Sequence, residues 1–192
     1  MGLDLMYSVI INEDLIRGDG FGVEMPLHSD VASPYLASYG RFKAKARYLP
    51  GCVSGEVIAD VDFSEPGASS DLAAIRATAV RDGDHYVING QKIFITNGWC
   101  VDLLVVACKT DTEAGYQGIS LILMDKDTPG FVRGQELHKM GGHMQDTAEL
   151  FFKDCRMPAW HLLGQERRGL KYLIRCVCIR PTPSAWPRWP PS

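Results

Sequence analysis

Between Asp62 and Asp71 the chain places three serines, a glutamate, a proline and a glycine in the run DFSEPGASSD. Pro66 and Gly67 favour a sharp turn, which presents successive backbone N–H groups outward instead of pairing them in a ladder. Together with the hydroxyls of Ser64, Ser69 and Ser70, such a turn has the donors to hold a phosphate or the polar edge of a heterocycle. The same residues also make an ordinary polar turn, with Ser64 and Ser70 as turn hydroxyls, Glu65 as a turn acid and Asp71 capping the segment that starts at Leu72. Downstream, Phe94-Ile95-Thr96 sets an aromatic ring two residues before a hydroxyl. By itself this is a strand ending in the turn Asn97-Gly98, with Phe94 in a core.

Other chemistry-bearing residues point less far. Six cysteines stand at 52, 100, 108, 155, 176 and 178, and the close pair Cys176-Val177-Cys178 lacks the two-residue spacer of zinc or redox motifs. They read as free thiols in a reducing compartment, either bacterial cytoplasm or mitochondrial matrix. Gly18-Asp19-Gly20-Phe21-Gly22 resembles a phosphate loop in composition, but it lacks the full G-x-G-x-x-G spacing and no strand precedes it. No metal site is expected.

These residues need a scaffold, and the chain can supply one. It has 192 residues, 46% hydrophobic and 22% charged, with a formal net charge of −3. That is enough for a packed core, and it gives no electrostatic case for nucleic acid or an anionic membrane surface. No apolar run reaches the roughly 20 residues of a membrane span. The first residues lack the basic start and small-residue cleavage site of a secretory leader.

Residues 1 to about 50 show helical spacing. SVIINEDLIRG ends at Gly18, HSDVASPYLASYG offers Ser29 or Asp30 as N-cap with Pro34 in the first turn and Gly40 as a stop, and RFKAKARYLPG reads as a short basic helix ending before Pro50. From about residue 56 alternation takes over. RATAVRDGDHYVINGQKIFIT contains three strand-like runs separated by Asp82-Gly83 and Asn89-Gly90, both hairpin signals. DLLVVACKT, GISLILMDK and TAELFFKDC follow, which predicts an antiparallel barrel or sandwich and an α+β fold overall. After Gly164, QERRGLKYLIR starts an amphipathic helix that CVCIRPTPSAWPRWPPS does not continue. Five of the eleven prolines and two of the four tryptophans fall in that stretch, an aberrant Pro/Trp-rich tail that reads as disordered. A polyproline ligand and a departure from the proper reading frame are both compatible with it.

SEPGASSDL (64–72), INGQKIFITNG (88–98), GISLILMDKDTPGF (118–131) and HKMGGHMQDTAELFFKDCRMP (138–158) together resemble the acyl-CoA dehydrogenase family, with LHSDVASPYLASYG and KARYLPGCVSGE resembling the last helices of its N-terminal domain in the style of long-chain members. The resemblance implies residues 1–54 as the end of the N-terminal helical domain, 55–163 as the middle β-barrel domain, 164–175 as the start of a C-terminal helical domain and 176–192 as a tail foreign to the family.

The resemblance also implies FAD as cofactor, without a Rossmann fold. The loop Val61, Asp62, Phe63, Ser64, Gly67, Ser69 and Ser70 would lie along the flavin, and Phe94, Ile95 and Thr96 would close on its ring. Ser64 stands where the family usually has Thr. Ser70 is placed to approach the FAD pyrophosphate and the acyl thioester, Phe94 to cover the ring and Thr96 to bond N5. Ser69 stands where Gly is common, so its Cβ is a candidate for crowding.

The implied reaction is α,β-desaturation of a fatty acyl-CoA: a glutamate takes the α proton, a hydride passes to flavin N5, and electrons leave to an electron-transfer flavoprotein. Homo-oligomerisation is implied for intact members. None of Glu65, Glu136 and Glu149 matches the family's base, so no catalytic residue is assigned and the chain alone is expected to be inactive. His143 reads as an exposed loop residue. Two alternatives stand beside this reading, a non-catalytic β-barrel interaction or assembly module and an acyl-CoA oxidase-like flavoenzyme. Helical residues before 50 are expected to expose apolar faces that further helices would cover.

Overall fold

The computed structural model describes residues 5–18, 20 and 25–179, without the side chains of Leu5 and of 176–179. Asp19, Phe21 and Gly22 of the glycine-rich run, and the tail from 180 onward, lie outside the described residues.

Helix α1 (Leu5–Arg17) closes with the Gly18 N–H donating to Asp14 C=O, as its sequence suggests. It leaves Met6, Tyr7, Ile10, Ile11 and Ile16 largely exposed, which agrees with the expectation of uncovered apolar faces. The next helix departs from the predicted caps. It begins as a π-helical segment, Leu27–Ala32, and continues without a break as α2 (Ser33–Tyr39). Ser29 and Asp30 are therefore inside it: Ser29 Oγ donates back to Met25 C=O, and Asp30 accepts from Ser8 Oγ at 3.0 Å. Helix α3 (Phe42–Ser54) runs through Pro50 and ends at Gly55, which has φ +82. Burial of Ala44, Tyr48 and Cys52, spaced four apart on one face, outweighs the hydrogen bond the proline removes.

Among the described residues, seven strands form one curled sheet, a half-barrel: β1 (Ala59–Asp62), β2 (Thr78–Asp82), β3 (His85–Thr96), β4 (Leu103–Lys109), β5 (Ile119–Asp125), β6 (Phe131–Glu136) and β7 (Thr147–Pro158). Most neighbours are antiparallel. The exception to the predicted antiparallel pattern is β4, which pairs parallel with β1 along Ala59–Asp62 and with Thr78 of β2, while β5 covers its other edge. The core centres on β4 and β5, whose residues 103–108 and 119–124 are all buried, so these strands read as apolar runs and not as alternation.

Asp82-Gly83 makes a hairpin between β2 and β3, as predicted. Asn89-Gly90 does not. It lies within β3, where the pairing with β7 slips between Ile88 and Gly90. A Cβ on Gly90 would sit 2.6 Å from Ala77 Cβ, so the glycine serves a close crossing of chains. Asn89 turns its amide across to β7, donating to Asp154 Oδ1 at 3.1 Å and accepting the Asp154 N–H at 2.9 Å. The hairpin signal fails because a single strand can use the same two residues as a bulge.

Helix α4 (Gly169–Ile179) extends four residues beyond Arg175, past the composition break. Tyr172 on this helix stacks on Tyr39 of α2, ring centres 4.0 Å apart. His28 ties the π-helical segment to the sheet, its Nδ1 accepting the Ala59 N–H at 2.9 Å while Nε2 donates to Cys52 C=O at 3.0 Å. Among the described residues no helix is long and apolar enough to cross a membrane, and no cluster of metal-ligating side chains occurs.

Candidate functional site

The loop after β1 turns as its proline and glycine suggest. The Glu65 N–H donates to Ala68 C=O at 2.7 Å and the Ala68 N–H returns to Glu65 C=O at 3.1 Å, so Pro66-Gly67 form the tip of a tight reversal. Asp71 caps the short 3₁₀ turn Leu72–Ala74 through the Ala73 N–H, at 3.1 Å. Pro66, Gly67, Ser69 and Ser70 are exposed, Phe63 and Ser64 are half-buried, and Val61 and Asp62 are buried with β1. Space does not require the glycine at 67, since a Cβ there would meet nothing within 4 Å.

Ser64 is brought to the end of β3 by the Ile93 N–H, which donates to Ser64 C=O at 3.0 Å. The strand then bulges between Lys92 and Ile95, and Phe94 adopts φ +60 and is 66% exposed. Phe94 is thus not a core residue. An L side chain in this region costs free energy, and such strain concentrates where a structure must aim a group. Ile95 returns to the interior, and Thr96 is half-buried beside Thr147 in the β3–β7 register.

Thr96 Oγ1 accepts from Gln145 Nε2 at 3.0 Å. A hydroxyl that accepts in this way keeps its own proton to donate. Gln145 is fixed in turn by Lys139, whose Nζ donates to Gln145 C=O, Gln145 Oε1 and Thr147 Oγ1 at 2.9, 3.1 and 2.8 Å. Asp146 Oδ2 receives the Trp99 and Cys100 N–H groups, closing the turn after Thr96. His143 is exposed, as expected, with Nε2 2.9 Å from Lys139 C=O.

Beneath the loop lies a charge cluster that the sequence pattern does not announce. Glu65 is buried and not a turn acid at the surface. Its carboxylate accepts the Arg76 N–H at 2.7 Å, the Ala77 N–H at 3.1 Å and Lys92 Nζ at 2.9 Å. Lys92 Nζ also donates to Phe63 C=O at 3.2 Å. Asp62 shares this interior. Burial pushes its carboxyl well above the usual carboxylate range, partly opposed by the nearby Lys92 charge. Burial also lowers Lys92, opposed mainly by Glu65, and pushes the neighbouring Cys108 thiol up to about 12. One signal for Lys92 was available: it follows Tyr86 and Ile88 in the inward phase of β3, where a lysine needs a buried partner.

The arrangement thus ties the loop after β1 to the last residues of β3, which carry the exposed Phe94 and the half-buried Thr96, with the half-buried Ser64 at the junction. Residues 61–155 match the family model described as acyl-CoA dehydrogenase, middle domain, and residues 1–56 match its N-terminal domain. The chain belongs to the acyl-CoA dehydrogenase family. It is 42% identical over 177 residues to the mitochondrial long-chain specific acyl-CoA dehydrogenase of Rattus norvegicus, covering 91% of this chain and 41% of that protein. Among solved structures it resembles an acyl-CoA dehydrogenase from Geobacillus kaustophilus, at 52% identity and TM-score 0.87, over 92% of this chain and 47% of the other. It also resembles an FAD-dependent dehydrogenase at 30% identity and TM-score 0.87, over 91% and 48%. The chain of this acyl-CoA dehydrogenase family member therefore spans less than half the length of these relatives.

Proposed function

We propose that this chain forms the flavin-facing half of an FAD-dependent acyl-CoA dehydrogenase site, for α,β-desaturation of a fatty acyl-CoA. The observation that carries this reading is the Ile93–Ser64 backbone bond, which brings Ser64 against the β3 segment that continues to Phe94 and Thr96. The groups suit a flavin, whose flat faces are apolar and whose edges are polar. The Phe94 ring is available to a face. The Thr96 hydroxyl, held by Gln145, has its proton to give to an edge nitrogen, and Ser64 offers a second hydroxyl. The exposed turn with Gly67, Ser69 and Ser70 offers accessible hydroxyls to a pyrophosphate and a thioester, with the Ser69 side chain at the surface.

FAD, when bound, supplies the acceptor for the substrate's β hydrogen as hydride. The protein's part at this rim is orientation and hydrogen bonding, each bond contributing about 1 kcal/mol net. We assign no catalytic base here: Glu65, Glu136 and Glu149 do not match the family's base, and the Glu65 carboxylate is committed to Lys92 and two backbone amides. In this reading residues 1–54, 55–163 and 164–175 are parts of three domains of one enzyme type, with an electron-transfer flavoprotein as oxidant and a homo-oligomer as the assembled form.

Purified protein titrated with FAD tests the reading. Uptake with a perturbed visible flavin spectrum is expected, without bleaching when a fatty acyl-CoA is added anaerobically. Protein that takes up no FAD refutes the flavin site and favours a binding module. Bleaching refutes the absence of a base in this chain, and peroxide release in air points to oxidase chemistry.

A further inference from the structure

We infer that Glu65 and Lys92 are positioning residues: their buried ion pair pins the neck of the 62–77 loop and so sets where Ser64 meets the rim. This deepens the flavin-facing reading, on which its functional meaning rests.

The geometry is a closed fastening. Lys92 Nζ holds Phe63 C=O at 3.2 Å and Glu65 Oε1 at 2.9 Å, and the adjacent Ile93 N–H holds the intervening Ser64 C=O at 3.0 Å. Three consecutive loop residues are thus held by two consecutive residues of β3. The outgoing limb is caught at the same point, because the Glu65 carboxylate accepts the Arg76 and Ala77 N–H groups. Everything from Pro66 to Ile75 is an excursion closed at its neck by one carboxylate.

The pair is deep, with side chains 0% and 5% exposed. An apolar pair of similar volume fills such a space at lower desolvation cost. It would, however, leave Arg76 N–H, Ala77 N–H and Phe63 C=O without these partners. The ions accomplish what apolar residues do not, by gathering donors and an acceptor from three segments at one point. The tip is otherwise held by local bonds, the Glu65–Ala68 reversal and the Asp71 cap, and by Ala68 and Ile75, which are buried in the core. Its hydrogen-bonded connection to β3 runs through the neck.

The full chain carrying Glu65→Gln and Lys92→Met together tests this, since the double change removes both charges of the pair at once. Hydrogen exchange followed by mass spectrometry is compared between residues 62–77 and the control strands 103–125, alongside FAD titration by flavin absorbance. The expected result is about tenfold or more faster exchange in 62–77, unchanged exchange in 103–125, and about tenfold weaker FAD uptake with a shifted bound spectrum. Unchanged exchange in 62–77 overturns the inference, and so does a loss spread equally over 103–125, which would mark a pair that only supports the fold. A loosened loop with undiminished FAD uptake overturns it as well. A loosened loop in a protein whose wild type takes up no FAD upholds the fastening and refutes the flavin reading instead. If the double variant does not fold, Glu65→Asp serves: it keeps the charge but shortens the reach by one methylene, and the same loop-confined loosening is expected from it.

Discussion

Gln145 Nε2 donates to Thr96 Oγ1 at 3.0 Å, joining the loop before β7 to the end of β3 across the rim of the half-barrel. The bond orients the one hydroxyl that terminates β3, and Lys139 locks the donor in place with three bonds of its own. Positioning at this rim is thus built from side chains far apart in the chain, with each group's hydrogen-bond capacity committed in a definite direction.

Replacing Gln145 with Ala should free the Thr96 hydroxyl to rotate while leaving the sheet intact. Loss of one oriented hydrogen bond is worth about 1 kcal/mol, or roughly a fivefold rise in the FAD dissociation constant, with little change in melting temperature. Equal FAD binding by the two proteins would show that Thr96 does not need this partner.

Phe94 combines φ +60 with a largely exposed ring. Phe94→Gly relieves backbone strain of about 1 kcal/mol, against a comparable entropic cost of glycine, so the protein without flavin should melt at nearly the wild-type temperature. Flavin uptake should weaken about fivefold or more through loss of the aromatic wall. A marked drop in melting temperature would mean that the ring is packed after all.

Gly90→Ala tests the bulge. The new Cβ would lie 2.6 Å from Ala77 Cβ and 2.8 Å from Ala77 Cα, and the backbone must shift to admit it. A destabilisation of about 1–3 kcal/mol in urea unfolding is expected. Asn89→Ala, which loses only exposed cross-strand bonds, should cost about 1 kcal/mol or less.

Asp62 makes a pH prediction. Its folded-state pKa is raised from 3.8 to about 7, so between these values the folded protein holds a proton that the unfolded chain has released. Its contribution to stability is therefore fully present below about pH 4 and declines as pH rises towards 7. Asp62→Asn should flatten that decline, seen as a smaller difference between melts at pH 4.5 and pH 7.5. An unchanged slope would place the titration elsewhere.

Much of the scaffold was legible because local rules and tertiary demands agreed there. The Asp82-Gly83 hairpin, the existence of strands at β4 and β5, the Asp71 cap and the Pro66-Gly67 turn each depend on neighbours within a few residues. Three of the misreadings share one cause. Pro50, Ser29 with Asp30, and Asn89-Gly90 are local stop, start and turn signals that packing overrode: the buried stripe of α3, a helix already begun upstream, and the close crossing of Ala77 beneath β3.

By itself, the order of residues determined the α+β succession, the family, and the presence of a polar turn and an aromatic-hydroxyl strand end, since these follow from short-range periodicity and from motifs read in sequence. Tertiary structure alone decided that Glu65 faces inward and what partners Lys92 there. Glu65 and Lys92 are 27 residues apart, and nothing in the composition of DFSEPGASSD distinguishes an acid in solvent from one buried against a lysine. The physical reason is that the free energy of a charged group depends on what surrounds it, and those surroundings exist only when β3 passes beneath the loop.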